Sequence, residues 1–176
     1  MASNDYHFIT EWHVPGTVSE VFRILFADST GLQEWWPSVY LEVKILEKGD
    51  ANGVGAKVEL FTKGWLPYTL RWNFVITESD PPHRVVLEAS GDFVGRGIWT
   101  LSQAGDQVTL IYDWKIRADK GLLKNFSFIM KPIFGANHHW AMRMGEQSLL
   151  LELQRRHAAT PEEAAKIAPP PRPTFR

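Results

Sequence analysis

Between about residues 39 and 118 the hydrophobic period of the chain changes to two and stays there across six segments. No motif limits the fold as strongly as this repeated alternation. The segments read as strands near 40–47, 55–63, 67–78, 84–92, 95–103 and 107–118. Turn clusters such as Gly49-Asp50-Ala51-Asn52-Gly53, Asp80-Pro81-Pro82 and Ala104-Gly105-Asp106 separate them. Connections this short demand antiparallel pairing, because parallel neighbours need a crossover of about a dozen residues or more. In 67–78, Tyr68, Leu70, Trp72, Phe74 and Ile76 share one side, opposite Thr69, Arg71 and Asn73. In 107–118, Val108, Leu110, Tyr112, Trp114 and Ile116 oppose Asp113, Lys115 and Arg117. The other strands divide the same way, with every charge on the side away from the aromatics. A register slip of one residue would flip a whole set. The sheet therefore has one solvated face and one apolar face that must be covered.

The flanking segments supply the cover. Residues 6–14 read as a first strand, giving a sheet of about seven, and Pro15-Gly16 ends it. Thr17-Val18-Ser19-Glu20 has the capping-box pattern, and Val18, Val21, Phe22, Leu25 and Phe26 follow at one-face helical spacing. A second short helix is expected over 31–36, stopped by Pro37. A long helix is expected from about 122 to 156, kinked or split at Pro132. Its apolar stripe reads Phe126, Met130, Ile133, Asn137, Trp140, Ala141, Met144, Ser148 and Leu151. The expected organisation is one α+β domain over 1–158, a curved antiparallel sheet wrapped around the C-terminal helix. A flexible Pro-rich tail over 159–176 is expected to follow it.

Composition narrows the partners. A chain of 176 residues with 44% hydrophobic and 22% charged residues suits one domain with a sizeable core. A formal net charge of -1 gives no basic surface for nucleic acid, and without cysteine there is neither a disulfide framework nor a thiolate site. No apolar run approaches the roughly 20 residues that span a bilayer. The first residues lack a basic stretch followed by an apolar one, so a cytoplasmic location is expected. Oligomeric state is not readable from the pattern.

Eight tryptophans are unusual for this length, and aromatic side chains often line ligand pockets. The inner face also carries Ala89, Gly91, Gly95 and Gly97, which fill little volume and let the sheet bend. Curvature with small residues predicts an internal cavity. Chemistry is harder to find. His138 and His139 are adjacent on a helix and point about 100° apart, so no metal site is expected. Glu59, Glu88, Asp92 and Asp113 alternate outward, which leaves no inward pair of carboxylates. Asn137 sits at the centre of the apolar helix stripe, where a buried amide needs Tyr68, Tyr112 or a ligand carbonyl as partner. His138 flanks that stripe, placed for a structural hydrogen bond or for acid–base work.

Several short stretches have a familiar cast. They are Val14-Pro15-Gly16-Thr17 with Val21-Phe22, Leu32-x-x-Trp35-Trp36-Pro37, Gly53-Val54-Gly55 and Gly145-Glu146. With the element order, these resemble the helix-grip fold of the START-like or SRPBCC superfamily over about residues 6–156. The stretch from Lys63 to Trp72, taken with 137–142, resembles a polyketide cyclase/dehydrase-type subgroup. The resemblance implies a ligand cavity between sheet and helix, but it assigns no activity, because the superfamily hosts unrelated ones.

Three functions follow as expectations. The first is binding of a hydrophobic or aromatic small molecule, polyketide-like or lipid, with no cofactor. Trp72, Phe93, Trp99, Tyr112, Trp114 and Met144 would line the cavity, Met130, Ile133 and Trp140 would add the helix stripe, and Asn137 and Tyr68 would orient the ligand. Trp36 and Trp65, with the segment 126–134, would guard the mouth. The second is a cyclase or dehydratase in which Tyr68, Tyr112, Asn137 or His138 moves protons. The third is a protein-interaction module with a filled interior.

Overall fold

The computed structural model describes residues 5–27, 31–118 and 127–174, with side chains for all of these except 118 and 127–130. Strand β1 (Asp5–Pro15) leads into helix α1 (Val18–Phe22), a π-helical turn (Arg23–Ala27) and helix α2 (Leu32–Trp35). Six strands follow: β2 (Tyr40–Glu47), β3 (Lys57–Lys63), β4 (Thr69–Asp80), β5 (Arg84–Gly91), β6 (Phe93–Ala104) and β7 (Gln107–Ala118). Helix α3 (Ser127–His157) and the short α4 (Pro161–Ala165) complete the described chain. Residues 122–126, expected to start the long helix, lie outside the described residues.

Among the described residues the seven strands form one curved antiparallel sheet in the order β1-β7-β6-β5-β4-β3-β2. The expected meander is present, and β1 closes onto β7 from Asp5↔Arg117 to Pro15↔Gln107. The alternation reads out directly as burial. Val58, Leu60, Leu70, Trp72, Val85, Leu87, Trp99, Leu101, Leu110, Tyr112 and Trp114 are all buried on the inner face. On the outer face the Glu78 carboxylate accepts from Arg84 at 2.6 Å and Arg96 at 2.8 Å. Strand β3 starts two residues later than expected, because Gly53 and Gly55 sit at positive φ (89° and 87°) and extend the turn.

Helix α1 is capped as its sequence predicts, with the Glu20 N–H donating to Thr17 Oγ1 at 3.2 Å. Helix α3 carries Pro132 inside it without splitting. Four contacts set its pose. The His13 N–H of β1 donates to Glu146 Oε1 at 3.0 Å, and the His157 ring meets the Glu20 carboxylate at 2.9 Å. His138 stacks on Phe8 with centroids 4.1 Å apart, and the Trp36 indole occupies the space where a Cβ on Gly145 would stand.

This pose corrects the expected helix stripe. Phe134, Asn137, His138, Ala141 and Met142 face the sheet, followed by buried Gly145, Ser148, Leu149 and Leu153. Ile133, Trp140, Met144 and Leu151 are only half-buried. The expected stripe, drawn from one-face spacing, is right at Asn137, Ala141 and Ser148 but is rotated toward Ile133, Trp140, Met144 and Leu151. The observed face is the one that brings Gly145 under the Trp36 indole.

At the end of the described chain, the short α4 has its own capping contacts. Thr160 caps α4 by accepting from the Glu163 N–H at 3.2 Å, and the Glu163 carboxylate accepts from the Ala159 N–H at 3.0 Å. Arg155 donates to the Ala168 carbonyl. Pro169, Pro170, Arg172 and Pro173 border a surface groove with Gln33, Pro37, Tyr40 and Leu41.

The Gly145 notch yields a sharp prediction. On an exposed helix Gly→Ala adds about 1 kcal/mol of stability. Here the added methyl overlaps the Trp36 ring, and overpacking costs about 1–3 kcal/mol. Gly145→Ala is therefore expected to lower the urea midpoint; a raised midpoint would show that the ring does not depend on the notch.

Candidate functional site

The inner face does not fill its own volume. Between α3 and the sheet, with Trp36 from the end of α2 at one side, lies a chamber of about 120 Å³. Its sheet wall is a ladder of rings. Trp99 stacks on Tyr112 (4.2 Å, 14°) and Tyr112 on Trp114 (5.4 Å, 21°), while Trp72 and Phe93 lean on Trp114 at 5.8 and 6.3 Å. Gly97 makes the ladder possible: a Cβ there would sit against the Tyr112 hydroxyl and the Trp114 ring. Trp36 forms the adjoining wall, edge-on to Trp12 at 5.5 Å and to Tyr40 at 5.1 Å. Stacked and edge-on pairs hold their rings in place, so this surface is stiff as well as apolar.

A smaller chamber of about 60 Å³ lies behind the first, lined by Leu25, Phe26, Leu32, Phe74, Val85, Leu87 and Trp99 among others. Trp36, Tyr40, Trp72, Tyr112 and Met142 border both chambers.

The polar atoms of the main chamber are few and uncharged for the most part. Among the described residues no carboxylate lines it. Thr62 Oγ1 accepts from the Trp72 indole N–H at 3.0 Å, which holds that ring on edge. Burial raises the pKa of Tyr68, Tyr40 and Tyr112, so all three stay protonated phenols that can donate. Lys63 lines the chamber at 5% exposure, and burial lowers its ammonium pKa. Burial, with a smaller contribution from His139, pushes the His138 imidazole down to about 4. It is a neutral ring at pH 7, and its buried Nε2 has no hydrogen-bond partner among the described residues. The Tyr6 hydroxyl and the Trp36 indole N–H, both on lining residues, are buried in the same condition. These groups can serve as hydrogen-bond partners for a molecule in the chamber.

Asn137 finds a partner other than the expected tyrosines. Its Oδ1 accepts from the Leu66 N–H at 3.1 Å in the β3–β4 loop, and Gly64 leaves room for the amide to reach in. The amide latches helix to loop at the edge of the chamber.

The structure brings Trp36, Tyr68, Trp72, Phe93, Tyr112, Trp114, Asn137 and His138 to the main chamber. Trp99 lines only the inner one. Ile133, Trp140 and Met144 do not line either chamber, for the reason of helix rotation given above. Trp65 is 37% exposed and takes no part in the lining. The Met130 side chain lies outside the described residues. Sequence reasoning missed Tyr6, Phe8, Tyr40, Thr62, Lys63 and Met142, while Phe134, expected at the mouth, lines the main chamber. Tyr6 and Phe8 were legible in principle as the aromatic residues of a sheet edge strand facing the helix.

An antiparallel sheet curved around a C-terminal helix, with two short helices after the first strand, is the helix-grip fold. No known family profile matches the chain, and no curated protein matches its sequence. Solved structures do share the fold. The Zhui aromatase/cyclase from Streptomyces sp. R1128 is 21% identical, with 88% of this chain and 97% of that one covered and a TM-score of 0.68. TTHA0849 from Thermus thermophilus is 15% identical over 84% and 99%, with a TM-score of 0.65. Ara h 8.0201 is 14% identical over 79% and 99%, with a TM-score of 0.51. Among the described residues no helix is long and apolar enough to cross a membrane.

The buried histidine gives the site a pH signature. Its folded pKa lies below the unfolded value of about 6.5, so the stability it permits is full above that value and is lost as pH falls toward 4. The whole gap is worth roughly 3 kcal/mol. His138→Phe, which keeps a ring on Phe8, is expected to lose less thermal stability than the parent between pH 6.5 and 4. Parallel melting curves for the two proteins over that range are the check.

Proposed function

We propose that this protein binds a small, largely apolar molecule bearing an aromatic ring, held in the chamber between sheet and helix. One observation carries the reading: an aromatic-walled, carboxylate-free chamber that the lining side chains do not fill, although it is bordered by buried polar groups without partners of their own. Its volume of about 120 Å³ is close to the roughly 150 Å³ of an engineered cavity that holds benzene. Rings would stack or pack edge-on against Tyr112, Trp114 and Trp72, and a hydroxyl or carbonyl would meet Tyr68 or Tyr112. An aromatase/cyclase among the structures of the same fold fits a polyketide-like ligand, and lipids belong to the same apolar class. The chamber supports the ligand reading over a pure interaction module, for which a filled interior is expected.

A second reading has an observation of its own. A neutral imidazole at the chamber wall beside protonated phenols is the equipment for moving a proton in a cyclisation or dehydration. His138 and Tyr112 would then act on the reacting chain, and Asn137 would hold the loop against the helix while they do.

Native mass spectrometry of gently purified protein, followed by extraction of anything released, tests the first reading. A defined adduct is expected, and Trp72→Ala is expected to weaken it at least ten-fold by removing a ring of the wall. A ligand-free spectrum, together with unchanged tryptophan fluorescence across aromatic polyketides and lipids, would sink the proposal. The readings separate on Tyr112→Phe with an identified ligand: turnover falls far more than affinity if the hydroxyl moves a proton, and only affinity changes if it does not.

A further inference from the structure

The two chambers differ in a way that bears on what the ligand looks like. The main one carries the polar groups Thr62, Lys63, Tyr68, Asn137 and His138. Beyond the shared wall, the inner one has apolar side chains and the Trp99 indole. Four members of that wall are rings held by neighbours. Trp36 lies in the Gly145 notch, Tyr40 sits edge-on to Trp36, Trp72 is tied to Thr62, and Tyr112 is sandwiched between Trp99 and Trp114. The fifth, Met142, is 6% exposed and is the one unbranched, non-aromatic side chain among them. Its three rotatable bonds and soft thioether let it repack where rings cannot.

We propose that Met142 is a movable partition, and that the ligand is elongated, with an oxygen-bearing aromatic head in the main chamber and an apolar tail running past Met142 into the inner one. The proposal rests on the reading of the main chamber as a ligand site and adds direction and length to it. Polarity sets the direction: a polar head in the inner chamber would lose its water and find, beyond the shared wall, only the Trp99 indole among otherwise apolar side chains. Volume sets the length. The main chamber is filled by a single ring, so anything larger either enters the inner chamber or projects outward.

Calorimetric titration with phenol, 4-ethylphenol and 4-butylphenol distinguishes these. Burying each methylene is expected to tighten binding about four-fold, the equivalent of about 0.8 kcal/mol, until the inner chamber is full. Butylphenol should therefore bind the parent protein more than ten-fold tighter than phenol. Leu87→Phe, which fills the inner chamber from β5, should bring that ratio to near one. Leu25→Phe fills it from the π-helical turn and serves if the first variant does not fold. Met142→Ala should keep the ratio and speed association of butylphenol. A ratio unchanged in both filled variants would overturn the proposal, because the tail would then leave through the mouth. Phenol binding with no gain from the alkyl chain would overturn it while leaving the main chamber as a site. Failure of folded parent protein to bind phenol or either alkylphenol would remove the ligand reading itself.

Discussion

The seat of Trp36 on the bare backbone of Gly145 is the contact on which the rest of this structure depends. A tryptophan at the end of α2 can lie flat against a helix only where the helix lacks a Cβ. That single allowance fixes which face of α3 looks at the sheet. It also locates α2 and the start of β2, because Trp36 touches Trp12, Trp35 and Tyr40 at the same time. The distance between helix and sheet is then set by an indole and by the stacked pair of His138 and Phe8, and cannot close further.

A gap held open by stiff rings is what makes the cavity. Facing the ladder of Trp99, Tyr112, Trp114 and Trp72, the helix presents Phe134, His138, Ala141 and Met142, while Trp140 and Met144 line neither chamber. Gly97 lets the ladder lie close to β6, and the Asn137–Leu66 bond ties the β3–β4 loop over the edge. Six of the eight tryptophans are buried in this arrangement, as scaffolding and as surface for a guest. The same burial keeps the phenols protonated and the imidazole neutral, so the chamber offers hydrogen bonds with little charge.

The sheet was the legible part. Each strand carried its own evidence in a two-residue period, and six strands agreeing on one apolar side left little freedom in the register. Tyr68, Trp72, Tyr112 and Trp114 could be placed on the inner face from that pattern alone. The helix was less legible. Its apolar residues cover more than one face, and a 3.6-residue period with several defensible stripes does not say which one docks. The stripe read from spacing runs through Ile133, Trp140 and Met144, whereas the face that docks runs through Phe134, His138 and Met142. Tyr40 and Lys63 escape for a related reason, since they stand at strand ends where alternation gives way to the neighbouring loop.

By itself the sequence determined the strands, their antiparallel order, the two faces of the sheet and the aromatic character of what lies between sheet and helix. All of these follow from local periodicity and short connections, which act over a few residues and are written in consecutive positions. Tertiary structure alone decided the rotation of the long helix, the partner of Asn137, the burial that keeps His138 neutral and the shared wall between the two chambers. Each of those turns on whether two groups far apart in the chain meet within an ångström or so, as Gly145 meets Trp36. Steric fit of that kind is a property of the assembled surfaces and is carried by no single stretch of sequence.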